Sequence, residues 1–437
     1  MNNKIKISIL HVILILCMKF SHAQSFSSMP PGFNSQLISI FADSVTGIVY
    51  AGGYFWQLGG NIIPMSRISR WTGSQWDSLS SGVNDGGGIR TITRYNGQVY
   101  AGGSFNTIGG IVSKGLASWD GFQWNFVANL IDIGGYGFVT KLIVEGNDLY
   151  VTGGFDSING TPVNSIAKFD GTNWTTFPVL DPDPNINIGS AIIYNSELYV
   201  VGNFNAGPGK AIIVKYDGTN WVTVGGGFSN FNTSAYGMVV YQGELYVIGN
   251  FYTSAGNPGN CIAKWNGASW SAVSTGVTYP QSIFCITVFN NEIYVGGNFT
   301  NIGGVPVTFI ARWDGSTWHD LGTPLDNGVN CFSPWGNDLY IGGAFLVING
   351  DTMLGITRYS LTTGFESLEP EENKTEIFPN PAQDILNITI APNFTAAQFI
   401  LYDAMGRRRV QSSKFKVQKI KPPLTFLICR RAFIFMR

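Results

Sequence analysis

Histidine is nearly missing from this chain of 437 residues: it occurs three times, and His11 and His22 fall in the N-terminal segment. That leaves His319, beside a repeated tryptophan, and excludes histidine-rich metal or copper centres and a Ser-His-Asp triad. Charged residues are scarce at 12%. Cysteine occurs five times, too sparsely for a disulfide scaffold. A Gly-x-Ser-x-Gly elbow, a P-loop and a Gly-x-Gly-x-x-Gly turn are all absent, which removes nucleophile-elbow hydrolases and the usual nucleotide cradles. No apolar run reaches membrane length. The N-terminal one, Ile7 to Met18, is 12 residues, against the roughly 20 that a spanning helix needs.

That run follows a short basic start (Lys4, Lys6) and precedes small residues at Ser21 and Ala23, just before Gln24. This is the layout of a cleavable signal peptide over residues 1–23. Leu16 before Cys17 is too bulky for a lipoprotein site. The mature chain is therefore expected to be secreted and soluble, with no transmembrane segment. All 27 acidic residues lie at or before Asp403, whereas ten of the 26 Lys and Arg lie from Arg407 onward. Residues 1–406 thus set 16 basic against 27 acidic side chains. A net-acidic body is a poor match for nucleic acid.

Glycine (55 residues) and aromatics (14%) are abundant, and they recur in a fixed order. Tyr-x-x-Gly-x-Phe appears seven times, with its tyrosines at Tyr50, Tyr100, Tyr150, Tyr199, Tyr246, Tyr294 and Tyr340, 46 to 50 residues apart. A second motif, aromatic-Asp/Asn-Gly-x-x-Trp, follows in most repeats, as in Phe169-Asp170-Gly171 to Trp174. Repeat one has Thr72 in the acidic place, and repeat seven is worn to Tyr359-Ser360 and Phe365. Turn pairs such as Asn96-Gly97 and Gln242-Gly243 precede the tyrosines, so each repeat reads as four strands with two tight hairpins. Strands a and b flank the first turn, and c and d flank the Asp-Gly. Four short strands in about 48 residues make a propeller blade, and seven blades fill residues 24–366. The glycines are expected to let adjacent blades approach, and the Trp and Phe to fill the space between them. The outer strand of blade seven has two sources open to it, Gly364 to Leu368 or a clasp from Phe26 to Met29. Cys285 and Cys331 occupy equivalent places in neighbouring repeats and are expected to be buried core residues rather than a bridge. The repeat resembles the kelch-like and related Gly-Gly propellers of secreted proteins. It is not a sialidase Asp-box, because Asp and Gly are adjacent here.

A polar linker, residues 367–375, leads to Pro379-Asn380-Pro381, Asp384, and then Tyr402-Asp403-Ala404-Met405-Gly406-Arg407. These motifs, over roughly 376–410, resemble the type A sorting domain of the type IX secretion system of Bacteroidota. The resemblance implies a small Ig-like β-sandwich over 376–437, recognised by the outer-membrane translocon and cleaved by a surface sortase. The tail from Lys414 departs from that pattern and reads as out of frame. The fold class expected is all-β throughout: a seven-bladed propeller followed by the small sandwich.

Function should sit on the propeller face that carries the longer b–c and d–a loops, since such loops bear function on rigid scaffolds. The candidates there are Trp56, Tyr136, Asp181, Asp183, Phe231, Tyr252, Tyr279 and Asp326. Aromatic faces with acidic partners suit a glycan or protein ligand, so a secreted or surface binding protein is the leading expectation. A carboxylate-based polysaccharide hydrolase or lyase, and a structural surface-layer component, are the alternatives. No catalytic residue and no cofactor are expected. Asp181-Pro182-Asp183-Pro184-Asn185 offers alternating oxygens to Ca²⁺ but lacks the Gly turn and distal Glu of a complete loop.

Overall fold

The computed structural model describes residues 23–362, apart from 59–65, 133, 182–185, 205–211, 229–233, 254–257, 279, 323 and 349, together with the strands of the C-terminal segment. Gln24–Leu361 forms one compact unit. It is a seven-bladed β-propeller, and strand is its regular structure throughout the described residues.

Each blade is an antiparallel meander. In blade five, for example, strand a is Ser234–Tyr241, b is Glu244–Asn250, c is Ile262–Trp265 and d is Trp270–Ala272. Its a–b turn is made by Gln242 and Gly243, with φ of 49° and 79°. Positive φ at both central residues gives the turn that matches strand twist. The c–d turn is held by the acidic residue of the second motif. Asp170 Oδ1 accepts from the Thr172 and Asn173 amides at 2.8 and 2.7 Å, and Asn266 Oδ1 does the same for Ala268 and Ser269 at 2.9 and 2.8 Å.

Blades are knitted together on both sides of their strands. Several of the repeated Trp indoles reach back to the preceding blade: Trp124 Nε1 donates to Leu79 O at 3.0 Å, and Trp270 Nε1 to Val224 O at 3.0 Å, whereas Trp318 Nε1 has no partner among the described residues. Within blades three to six, strand b starts with an acid, and strand c carries a base paired in register with the tyrosine two residues on, diagonal to the acid. The pairs are Asp148–Lys168, Glu197–Lys215, Glu244–Lys264 and Glu292–Arg312, at 2.9, 2.8, 2.8 and 2.6 Å.

The ring closes. Strand a of blade seven, Val329–Trp335, lies against strand a of blade one, Leu37–Asp43. Ser333 Oγ accepts from the Ala42 amide at 2.8 Å, and Asn330 Nδ2 donates to Leu37 O at 2.9 Å. The outer strand of blade seven is the N-terminal segment Ala23–Ser28, paired with Ile356–Thr362. The clasp is therefore the N-terminal alternative. Gly364 to Leu368 lies outside the described residues.

The repeated glycines do something other than expected. A Cβ on Gly103, Gly153 or Gly249 would meet the carbonyl oxygen of Gly88, Phe138 or Ser234, at 2.0, 1.9 and 2.1 Å. Each of these carbonyls belongs to strand a, or the residue just before it, of the same blade. Close approach between blades falls instead to the preceding glycine where there is one: a Cβ on Gly102 would strike Val139, and one on Gly342 would strike Ile40. Cys261, Cys285 and Cys331 are free thiols.

The C-terminal strands form a separate unit. Glu376–Phe378, Ile385–Thr389 and Leu424–Leu427 make one three-stranded sheet, and Arg408–Gln411, Phe399–Tyr402 and Phe433–Met436 another. Tyr402 ends a strand. Pro379, Asn380, Pro381, Asp384, Asp403, Gly406 and Arg407 lie outside the described residues. Among the described residues no helix is long and apolar enough to cross a membrane.

Candidate functional site

Strand a runs from the long-loop face to the a–b hairpins, so its first residues ring the mouth of the central channel. In every blade its pairing with strand b skips one residue there. The skipped residues are Ile38, Arg90, Thr140, Gly189, Tyr236, Phe284 and Asn330. A bulge of this kind re-aims a side chain, and bulges gather beside binding sites. Seven equivalent positions in an otherwise regular repeat thus carry seven treatments of one ring.

Their chemistry divides the ring. Thr140 Oγ1 donates to Ile188 O of the next blade, and Asn330 to Leu37 O, so these two stitch blades together. Gly189 has no side chain, and the space beside it is closed by the Ala235 carbonyl at 2.7 Å from where a Cβ would stand. Tyr236 and Phe284, from blades five and six, are the exposed pair, at 37% and 38%. Their ring centroids are 6.2 Å apart with planes tilted by 58°. Burial of its hydroxyl end, with the Cys261 thiol nearby, holds the Tyr236 phenol above its usual pKa.

Two buried polar atoms at this mouth have no partner among the described residues: Asn187 Oδ1, on the first residue of strand a in blade four, and Arg90 Nε. The Arg90 guanidinium lies over the Phe138 ring, 4.8 Å from its centroid. Orphaned buried polar atoms are costly, and a ligand able to pair with them would offset that cost.

The residues singled out from sequence fall elsewhere or nearby. Trp56 and Tyr136 are exposed on the loop face, at 55% and 72%. Tyr252 is largely buried; its hydroxyl donates to the carbonyl of Gln281, three residues before Phe284, which sets it behind the aromatic pair. Asp181 is buried at 2%. Asp326 is exposed, but its Oδ1 accepts from the Leu346 and Val347 amides at 2.8 and 3.1 Å. Asn34 Oδ1 holds the Trp56 and Gln57 amides in the same way, both at 3.1 Å, and Asp85 holds Asn106 and Thr107. This carboxylate thus positions a loop, as its counterparts do. No described contact joins Trp56, Tyr136 and Asp326, which belong to different blades. Asp183, Phe231 and Tyr279 lie outside the described residues, as does most of the Asp181–Asn185 loop considered for Ca²⁺. Among the described residues no three His, Cys, Asp or Glu side chains gather as metal ligands.

The bulge residues escaped sequence reasoning because a skipped pair leaves no motif. A signal was nevertheless present. From Arg90 to Asn330, each stands ten residues before its repeat tyrosine, in a column where no two of these six repeats share a residue type.

Comparison with known proteins bears on the two ends of the problem. Residues 376–422 match the model of the secretion system C-terminal sorting domain, which carries the likeness past residue 410. Residues 290–313 match a β-propeller domain of unknown function, DUF5122. A comparison with curated protein sequences gave no significant match. Similar solved structures include the WD40 propeller domain of Doa1, at 12% identity and TM-score 0.48, covering 77% of this chain and 96% of that one. Another is the extracellular domain of the one-component system BT4673 from B. thetaiotaomicron, at 12% identity and TM-score 0.49, covering 95% and 58%. A third is the designed protein Ika8, at 12% identity and TM-score 0.44, covering 76% and 98%. No ligand or activity passes from these to the present chain. With a propeller body and a C-terminal sorting domain, this is a protein delivered by the type IX secretion system to the outside of the cell, secreted or held at the outer surface.

Proposed function

We propose that the protein is a binding module that takes a glycan at the channel mouth on its long-loop face, after export through the translocon and processing by the surface sortase. The observation that carries this is the exposed Tyr236–Phe284 pair, set on bulges beside the unpartnered Asn187 Oδ1 and Arg90 Nε. Sugar rings stack their C–H faces on tilted aromatic platforms and direct hydroxyls to amide and guanidinium groups. A protein surface could use the same platforms, but the confined, amide-bearing mouth suits a narrow ligand better. The hydrolase alternative gains nothing from Asp85 and Asp326, whose carboxylates are occupied by backbone amides.

The test is binding of the full secreted chain to an oligosaccharide panel, alongside the Tyr236→Ala/Phe284→Ala double variant. Loss of two stacking platforms should weaken binding by about tenfold or more, since roughly 1.4 kcal/mol corresponds to a factor of ten. Both proteins should keep one melting temperature. A panel with no binder, or a binder indifferent to the double variant, sinks the proposal.

A further inference from the structure

The channel below the aromatic pair is cationic, although the body of the chain is acidic. Lys141 follows the bulge residue of blade three and so stands one residue deeper than the mouth ring. At the equivalent position the other blades carry Ser39, Thr91, Ser190, Gly237, Cys285 and Cys331, none of them charged. Lys141 keeps an accessible surface inside the ring of strands. Confinement within the ring lowers its pKa, and the ionisable groups that act on it are the Cys331 and Cys285 thiols of blades seven and six, across the channel. Those thiols supply no counter-charge, because burial pushes Cys331 up to about 12 and Cys285 well above its usual range.

Most other cations among the described residues of the propeller are matched, although Lys114, between strands b and c of blade two, has no ion pair. Strand-c bases pair with strand-b acids in blades three to six, Arg94 pairs with Asp43, and Arg70 with Asp77. Arg67, on an outer loop, donates to the Gly86 and Gly87 carbonyls. Neither Lys141 nor Arg90 has a carboxylate within ion-pair distance among the described residues. A desolvated charge without a partner is unfavourable, and an anion entering the channel would relieve it.

We infer that the ligand is an acidic saccharide, bearing carboxylate or sulfate, whose anionic group passes the Tyr236–Phe284 platform and is held by Arg90 at the mouth and Lys141 below it. This rests on the glycan proposal above and names the class of glycan. The ring stacks on the aromatic pair while the anion meets the two unpaired cations. Arg90 can offer its guanidinium, which carries no ion pair, and Lys141 a point charge deeper in.

The experiment uses the full secreted chain with two probes, an oligouronate and a sulfated oligosaccharide. Each is compared with its neutral counterpart, carboxyl-reduced or desulfated, at low and high salt. At least one acidic probe should bind about tenfold more tightly than its neutral form, with an advantage that shrinks as salt rises. Lys141→Gln and Arg90→Gln should each reduce that advantage, while Lys114→Gln, outside the channel, should keep it. Which probe responds separates carboxylate from sulfate. Equal binding of acidic and neutral forms, or a preference surviving in both channel variants, overturns this inference and leaves the glycan proposal standing. Absence of any saccharide binding removes both. Melting curves on each variant guard against misfolding, and Arg90→Gln serves where Lys141→Gln fails to fold.

Discussion

The indole Nε1 of Trp76 donates to the backbone carbonyl of Met29 at 3.0 Å. Trp124, Trp221 and Trp270 make the same bond to the blade before them, at Leu79, Pro178 and Val224. Blade one has no preceding blade in the chain, and Met29, at the end of the N-terminal clasp, takes that place. The segment Ala23–Ser28 therefore completes the last blade. Deleting residues 24–29 should uncover the fully buried Tyr359 and leave an unpaired strand edge. The melting temperature should fall by on the order of 10 °C, as several kcal/mol are lost in a large domain. Trp76→Phe removes the hydrogen bond together with part of a buried ring that packs on Phe33 and Trp71, and should cost about 2–3 kcal/mol in urea unfolding. A deletion variant that melts with the wild type would show that the clasp is dispensable.

Asp43 and Arg94 lock blade one to blade two. The carboxyl is 1% exposed and accepts from both Arg94 Nε and Nη2, at 2.9 and 2.5 Å. Burial pushes the Asp43 pKa up, but hydrogen bonds from Arg94, Thr46 and the Val45 amide outweigh it and hold the pKa below its ordinary 3.8. Arg94→Leu should destabilise the protein by about 3 kcal/mol at neutral pH, because it leaves a buried carboxylate unpaired. That deficit should shrink on acidification, as Asp43 protonates in the variant first. A pH-independent deficit would contradict this account.

Gly153→Ala tests the role of the repeated glycine. The new methyl would stand 1.9 Å from Phe138 O, so strand a of blade three must shift away from strand b. Overpacking of this kind costs roughly 1–3 kcal/mol, read as a lowered urea midpoint. Unchanged stability would mean that the bulge yields freely.

Asp314 and His319 form the one acid–histidine pair among the described residues, at 2.7 Å on the c–d turn of blade six. Burial raises the Asp314 pKa, yet hydrogen bonds from His319, the Thr317 and Ser316 amides and the Ser316 hydroxyl hold it far below 3.8. A folded pKa below the unfolded one means that the carboxylate stabilises the fold above about pH 4 and loses that effect as pH falls through the lowered value. Asp314→Asn should therefore melt below the wild type at pH 7, with the gap closing toward pH 2.5. The turn itself should survive, because Asn266 already holds the same turn in blade five. A gap constant across that range would assign the effect to something other than ionisation.

Much of this was legible because repetition exposes packing rules. Seven copies of Tyr-x-x-Gly-x-Phe fix the blade count, and paired turn residues fix the two hairpins. Asp-Gly-x-x-Trp announces both the c–d turn and the inter-blade indole. The sorting motifs were equally plain in Pro379–Pro381 and Asp403–Arg407. The acid–base pairs across strands b and c, Asp148–Lys168 among them, were also present in the letters but hidden by the aromatic motifs beside them. Asp326 misled, because an exposed loop carboxylate looks the same in sequence whether it meets a ligand or two amides.

The amino-acid order by itself determined the propeller and its seven blades, since both follow from local turn chemistry and spacing that neighbours in the chain can enforce, while the route out of the cell was read from the likeness of the C-terminal motifs to a sorting domain. Only the tertiary structure decided which terminus closes the ring, which residue of strand a is skipped, and what faces Lys141. Those depend on strand register and on residues brought together from opposite blades, and neither distance nor register across a closed ring is written in any one repeat.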